Sequence, residues 1–350
     1  MGPRLAGVVV VLVAAAGCSA AATPAADSPS PVGISTAGPG ATADAQPGPG
    51  EFVNPVVDVN FPDPGFLAVE GIFHLYGTEG EGLNVQTMTS NDLVSWTPGA
   101  DALPQLGSWA LPGRTWAPEV LAVDGGYVLF YTAADMTSGK QCIGRAEAAD
   151  PGGPFVDAAA VPFVCQPDLG GSIDPNPITG PDGSRYLYWK NDGNCCGQPV
   201  HLWGQQIDST AATLVGEPVP LLTNAQSWEG NLVEAPQMVT HDGRWVLFYA
   251  ANTYSTDRYA EGWADCDGPL GPCTAAASPL LATNAAAAGP GHAYVFDHAG
   301  QTWILYHAWP PEAIGFVTPG RLLWLDAVTW TPDGPVVDGP NPQPQPVPAT

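Results

Sequence analysis

Three acidic residues stand in short, stiff contexts: Asp63 in F-P-D-P-G, Asp174 in S-I-D-P-N and Glu234 in V-E-A-P. Asp63 and Asp174 are each followed by proline, which restricts the preceding residue and favours an extended approach. One protonated and one ionised carboxyl, set on either side of a bond, is the apparatus for hydrolysing a glycosidic link. A lone Asp-Pro carries little, because the pair is common in turns. Three acids at matching places in a repeat carry more.

The elements that must position them do repeat. Five turn glycines, Gly71, Gly125, Gly183, Gly243 and Gly300, each precede a run rich in aromatic and branched residues. Such runs read as strands, and Asp-Gly is a strong hairpin signal. The glycines are separated by 54, 58, 60 and 57 residues. A near-constant period of that size marks a repeat architecture, and four short strands per ~50 residues suit a propeller blade. An all-β, five-bladed β-propeller is therefore expected. The residues before the turns are Asp63, Glu119, Asp174, Glu234 and His292, spaced 56, 55, 60 and 58. Equivalent positions of a closed radial array face one axis, so these side chains should converge on a central pocket.

The chain has 350 residues, 9 Lys and Arg against 34 Asp and Glu, and a net charge of −25. That balance excludes nucleic acid and anionic membrane surfaces as partners. Arg4, an apolar run from Leu5 to Ala16, and Gly17-Cys18 make a secretory signal over residues 1–18. The run is too short for a membrane span, which needs about 20 residues. Ala15-Ala16-Gly17-Cys18 resembles a bacterial lipobox with Cys18 as the lipidated residue, so any membrane contact is through a lipid anchor. Residues 19–51 are rich in Ala, Pro, Gly, Ser and Thr and read as a disordered tether. The catalytic domain is expected over 52–339, as a monomer, and residues 340–350 as a proline-rich disordered tail. Six further cysteines in an exported chain point to disulfides. Proximity favours Cys142 with Cys165 and Cys266 with Cys273, leaving the adjacent pair Cys195 and Cys196. No H-E-x-x-H or D-x-D-x-D-G metal motif is present.

The motifs together resemble glycoside hydrolase family 43, the five-bladed propeller glycosidases, over roughly residues 52–339. In chain order they are F-P-D-P-G, S-N-D-L-V-S-W at 90–96, W-A-P-E at 116–119, G-P-F at 153–155, S-I-D-P at 172–175, V-E-A-P at 233–236 and G-P-G-H at 289–292. The resemblance implies inverting hydrolysis of pentose polysaccharides of arabinan, arabinoxylan or xylan type. It implies Asp63 as the general base, Glu234 as the general acid, and Asp174 as the carboxylate that tunes and holds the acid. A negative neighbour makes a carboxyl hold its proton more tightly, which suits that last role.

Around the acids, Trp116 and Trp228, with Tyr254, are candidates for stacking on a sugar face. Glu119 is a substrate contact or supports the site from beneath. By the same resemblance Arg321 faces the sugar or the acids. His292 lies in the channel as a substrate contact, or as a ligand of water or a structural calcium; no cofactor is required. Asp192 and Glu229 read as turn and rim residues. Two other readings stay open: a propeller that binds glycans without catalysis, and a propeller glycosidase acting on fructans. The latter expects R-D-P where this chain has Ile173-Asp174-Pro175.

If Cys18 carries the anchor, the wild-type chain should sediment with membranes, and Cys18→Ala should release it or block its processing. A soluble wild-type protein cleaved at another site would rule the anchor out.

Overall fold

The computed structural model describes residues 47–349 and Gly2. The chain divides into Met1–Asp44 and Ala45–Thr350. The signal segment, Cys18 and all of the expected tether up to residue 46 lie outside the described residues.

The first strand, β1 (Glu51–Phe52), begins one residue inside the expected tether. Blade one holds β2 (Gly65–Val69), β3 (Ile72–Gly77), β4 (Gln86–Ser90) and β5 (Thr97–Pro98). Blade two holds β6 (Ala110–Val123), β7 (Gly126–Asp135) and β8 (Gln141–Ala148), its edge extended by a bridge between Glu147 and Val156. Blade three holds β9 (Ser172–Thr179), β10 (Arg185–Asn191), β11 (Leu202–Ile207) and β12 (Leu214–Leu222). Blade four holds β13 (Val233–His241), β14 (Arg244–Ala251), β15 (Ala260–Cys266) and β16 (Cys273–Ala275). Blade five holds β17 (Ala288–His298), β18 (Gln301–Trp309), β19 (Leu322–Thr331) and β20 (Gly334–Val337). Every blade is an antiparallel meander, and the strands run in chain order from the axis outwards. The fold is thus the five-bladed propeller that the repeat predicts.

The five turn glycines all take positive φ, between 79° and 88°. In three of the hairpins the residue before the glycine, Glu70, Asp242 or Ala299, is left-handed too. Two consecutive positive-φ residues match the right-handed twist of the strands they join. One tyrosine in each blade's second strand, Tyr76, Tyr131, Tyr188, Tyr249 and Tyr306, is fully buried between blades. A buried phenol needs a partner, and each has one. Their acceptors are Pro151 O, Asp157 Oδ2, Pro269 O, Glu229 Oε1 and Asp326 Oδ2, at 2.5–2.9 Å.

A second repeated feature was not visible in the sequence. Asp63, Ala117, Asp174, Ala235 and His292 are all left-handed, with φ between 44° and 57°. Asp63 and Asp174 are therefore not in the extended backbone that the following proline favours. In four of the five, the residue's own N–H finds a side chain on the preceding blade, and in blade five the N–H after it does. Thr78 Oγ1 accepts from Ala117 at 2.9 Å, Thr132 Oγ1 from Asp174 at 3.2 Å, and Asp174 Oδ2 from Ala235 at 3.1 Å. In blade five the Glu261 carboxylate accepts the N–H of Ala293, next to His292, at 3.3 Å, and His307 Nδ1 accepts from Asp63 at 3.1 Å. The last bond joins blade five to blade one, where Phe66 also stacks on Phe296 at 4.0 Å.

The proline-rich C-terminus is ordered, contrary to the expectation of disorder. Its strand β21 (Gln345–Pro346) pairs with β1. Buried Asp326 holds it: Gln345 Nε2 donates to Oδ1 at 2.9 Å, and Asn341 N–H to Oδ2 at 3.4 Å. Asn54, at the other end of the domain, donates to Asp326 Oδ1 at 3.1 Å and to Asn341 O at 3.2 Å. Composition argued for disorder, but hydrogen bonds to a buried carboxylate, which Tyr306 and Asn54 also reach, anchor the segment. Cys142 is bonded to Cys165, Cys266 to Cys273 across β15 and β16, and Cys195 to Cys196.

A chain ending at Gly339 should lose about 2–4 kcal/mol of stability, since two hydrogen bonds to a buried carboxylate go with it. Urea unfolding checks this, and an unchanged midpoint would show that the tail contributes nothing.

Candidate active site

The left-handed residue at the head of each inner strand decides which side chains turn towards the axis. In register, the five equivalent residues are Asp63, Ala117, Asp174, Ala235 and His292. Glu234 comes one place earlier and Glu119 two places later. The sequence register was therefore offset in blades two and four. Glu234 still enters the pocket, because the ladder between β13 and β14 shifts register between Glu234 and Gln237. Glu119 does not: it is buried below, its carboxyl against Gly65. Its expected substrate contact is corrected to a supporting position.

A cavity of about 600 Å³ opens at this end of the axis. Asp63, Asp174 and Glu234 all line it, with Trp116, Tyr254 and Arg321 among the other walls. Three carboxyl groups from blades one, three and four thus share one pocket, and each has a different environment.

Asp63 is surrounded by cations and donors. Arg321 Nη1 donates to Oδ1 at 2.7 Å, Thr78 Oγ1 donates to Oδ2 at 2.5 Å, and His292 Nδ1 lies 3.3 Å from Oδ1. Burial by itself pushes the carboxyl's pKa up. Arg321 first, then His292, with the Thr78 hydrogen bond, outweigh that and hold it well below the usual range, so Asp63 stays ionised. His307 is fully buried, and both burial and Arg321 lower its pKa well below the usual value. It is a neutral imidazole whose Nδ1 accepts the Asp63 N–H.

Glu234 is clamped through both oxygens. Lys190 Nζ donates to Oε2 at 3.0 Å, and Tyr259 OH donates to Oε1 at 2.9 Å. Lys190 is 1% exposed. Burial favours its neutral amine, but Glu234, Asp174 and Asp192 together outweigh this, so it remains an ammonium. Asp192 stands 3.7 Å from the same Nζ. Asp174 lies between the two sites. Its pKa is pushed up to about 6, chiefly by burial and further by Glu234 and Asp63, against the pull of His292 and Lys190.

The other expectations divide. Trp116 and Arg321 line the pocket, and Arg321 lies 4.9 Å from the centroid of the Tyr254 ring, a cation–π distance. Trp228 turns away and stacks on Tyr249 at 5.9 Å, so it is blade packing and not a sugar platform. Glu229, read as a rim residue, is fully buried and accepts from Tyr249 OH and from the N–H of Gln226. Asp192, read as a turn residue, faces the pocket. The residues around His292 do not fit a directly ligated calcium ion, which takes six to eight oxygens. Here the neighbours are two imidazoles and one carboxylate already bonded to Arg321.

Lys190, Tyr259 and His307 escaped the sequence reading. Lys190 and His307 follow aromatic strand runs and read as core, and Tyr259 stands in a polar loop just before β15. Only the scarcity of basic residues in this chain marks Lys190 as unusual in a buried strand.

Comparison with known proteins agrees with this geometry. The sequence profile of Glycosyl hydrolases family 43 matches residues 52–336. A curated relative, "Probable arabinan endo-1,5-alpha-L-arabinosidase C" of Aspergillus niger, is 23% identical over 296 residues, covering 77% of this chain and 88% of the relative. A thermostable family-43 glycoside hydrolase of known structure superposes with a TM-score of 0.78 at 27% identity, over 85% of this chain and 99% of that one. An endo-1,4-beta-xylanase from Bacteroides thetaiotaomicron superposes with a TM-score of 0.69 at 26% identity, over 84% and 99%. With a family match across more than three quarters of its length, a five-bladed propeller and an axial pocket of three carboxyls, the chain belongs to glycosyl hydrolases family 43 and is a glycosidase.

Proposed function

We propose that the enzyme hydrolyses glycosidic bonds in pentose polysaccharides of arabinan, arabinoxylan or xylan type, with inversion at the anomeric carbon. The observation that carries this reading is the unequal treatment of the three carboxyl groups in one pocket. Asp63, kept ionised by Arg321, has the charge state of a general base that orients water and takes its proton. Glu234, fixed through both oxygens by Lys190 and Tyr259, is positioned to donate to the leaving oxygen. Asp174 bonds the Ala235 N–H next to that acid and adds a carboxyl whose own proton is held to about pH 6. The names of the arabinan- and xylan-acting relatives support the pentose assignment. The disulfides fit an exported enzyme, which we place at the cell surface through Cys18 or in the medium.

Incubating the protein with aryl arabinofuranoside, aryl xyloside and polymeric arabinan and xylan tests the substrate class. NMR of the first product formed tests the stereochemistry. Inverted product is expected, and retention would refute Asp63 as a base, because a retaining enzyme uses that place for a nucleophile.

The two reacting acids should respond differently to removal. Glu234→Ala should cost about 10²–10⁴-fold on natural glycosides and much less on aryl glycosides with good leaving groups, which need no proton. Asp63→Ala should lose activity on both kinds, with no rescue by the leaving group. Steady-state kinetics on matched substrates decide between them.

Asp174 also makes a stability prediction. Its pKa is about 6 in the folded protein and 3.8 in the ordinary state. The folded state therefore binds the proton more tightly, and ionising the group costs stability as pH rises from about 4 to 7. The cost is roughly 2–3 kcal/mol for a shift of this size. Asp174→Asn should thus be more stable than wild type at pH 7, with the gain gone near pH 4. Thermal unfolding at the two pH values measures it, and a gain independent of pH would contradict the burial of this charge.

A further inference from the structure

The pocket wall beside Glu234 contains a bond that stability does not explain. By restricting the unfolded chain, a disulfide stabilises more the longer the loop it closes, growing slowly with loop length. Cys142–Cys165 spans 23 residues and Cys266–Cys273 spans 7, but Cys195–Cys196 joins neighbours and closes no loop. Both cysteines of that pair are exposed. Cys195 lines the catalytic pocket together with Asp192, Lys190 and Glu234.

We propose that the Cys195–Cys196 disulfide is a sugar-binding surface for the part of the substrate that leaves. This rests on the reading of Glu234 as the acid. The acid must reach the leaving oxygen, so the leaving sugar lies on its side of the pocket. Lys190 Nζ links Glu234 at 3.0 Å to Asp192 at 3.7 Å, and Asp192 directly precedes the turn Gly193–Cys196. The disulfide therefore borders the leaving side.

Its chemistry suits the C–H face of a pentose. Oxidised sulfurs are polarizable and donate no hydrogen bond; Lys140 Nζ contacts Cys196 Sγ at 2.8 Å, and it is Cys195 that faces the pocket. The turn that carries them is held firmly. Gly197 N–H donates to Gly193 O, and Asp192 N–H donates to Gly171 O at 3.1 Å. Below the turn, Asn191 Nδ2 donates to Leu169 O at 3.0 Å and to Pro199 O at 2.9 Å. A Cβ at Gly193 would collide with the backbone of Pro199, so the turn has no room to shift inward. A surface fixed in advance binds without an ordering cost.

The test compares substrates with and without a leaving sugar. Arabinosyl and xylosyl fluorides have only fluoride to lose, whereas the corresponding disaccharides place a sugar on the disulfide. The Cys195→Ser/Cys196→Ser protein should lose about five- to tenfold in kcat/KM on the disaccharide, mostly through KM, for the loss of a modest apolar contact. Its turnover of the fluoride should be unchanged. Cys195→Ala/Cys196→Ala serves as a second variant should the serines disturb the turn. An unchanged disaccharide rate, or an equal loss on both substrates, would overturn the proposal, the latter assigning the pair to structure alone. Failure of the wild-type protein to hydrolyse either the fluorides or the disaccharides would instead overturn the glycosidase roles on which the proposal rests.

Discussion

Five backbone N–H groups, one at or next to the left-handed step of each inner strand, are accepted by side chains of the preceding blade, and the rest of the molecule depends on that ring. The five residues at these steps, Asp63, Ala117, Asp174, Ala235 and His292, sit at positive φ, a conformation that costs a non-glycine residue of order 1–3 kcal/mol. Such strain persists only where surroundings over-determine it. Here the acceptors are Thr78, Thr132, Asp174, Glu261 and His307, and each acts across a blade boundary. Two members of the ring, Asp63 and Asp174, are also pocket carboxyls. Closure of the propeller and construction of the site are therefore one event. The same left-handed step that joins neighbouring blades turns these side chains towards the axis.

The electrostatics follow from placing few cations well. Of the nine basic residues in a chain of net charge −25, Arg321 and Lys190 are spent on Asp63 and Glu234. A buried ion pair rarely adds net stability, because desolvation offsets the attraction. Its value here is positional: each carboxyl group is held in one orientation in the pocket. Asp174 has no cation bonded to it and keeps its proton to higher pH. Three groups of one chemical type are thus separated in behaviour by their partners.

The sequence by itself determined the repeat, the turns and the identities of the three acids. Those are local facts. Gly71, Gly125, Gly183, Gly243 and Gly300 are needed wherever a hairpin requires positive φ, and alternating aromatic runs make strands in nearly any context. Only the tertiary structure decided the register at the strand heads, where Ala117 and Ala235 take a conformation that nothing in an alanine requests. That is why Glu119 was placed in the pocket although it lies beneath it, and why Trp228 was read as a platform although it packs on Tyr249. Lys190, Tyr259 and His307 were illegible for the same reason. The direction of a strand side chain alternates with period two, so one bulge exchanges core for pocket. The proline-rich tail is the converse case: its composition forbids a core of its own, but buried Asp326 of blade five supplies an anchor. Long-range hydrogen bonds to buried groups made each of these decisions, and no spacing along the chain encodes them.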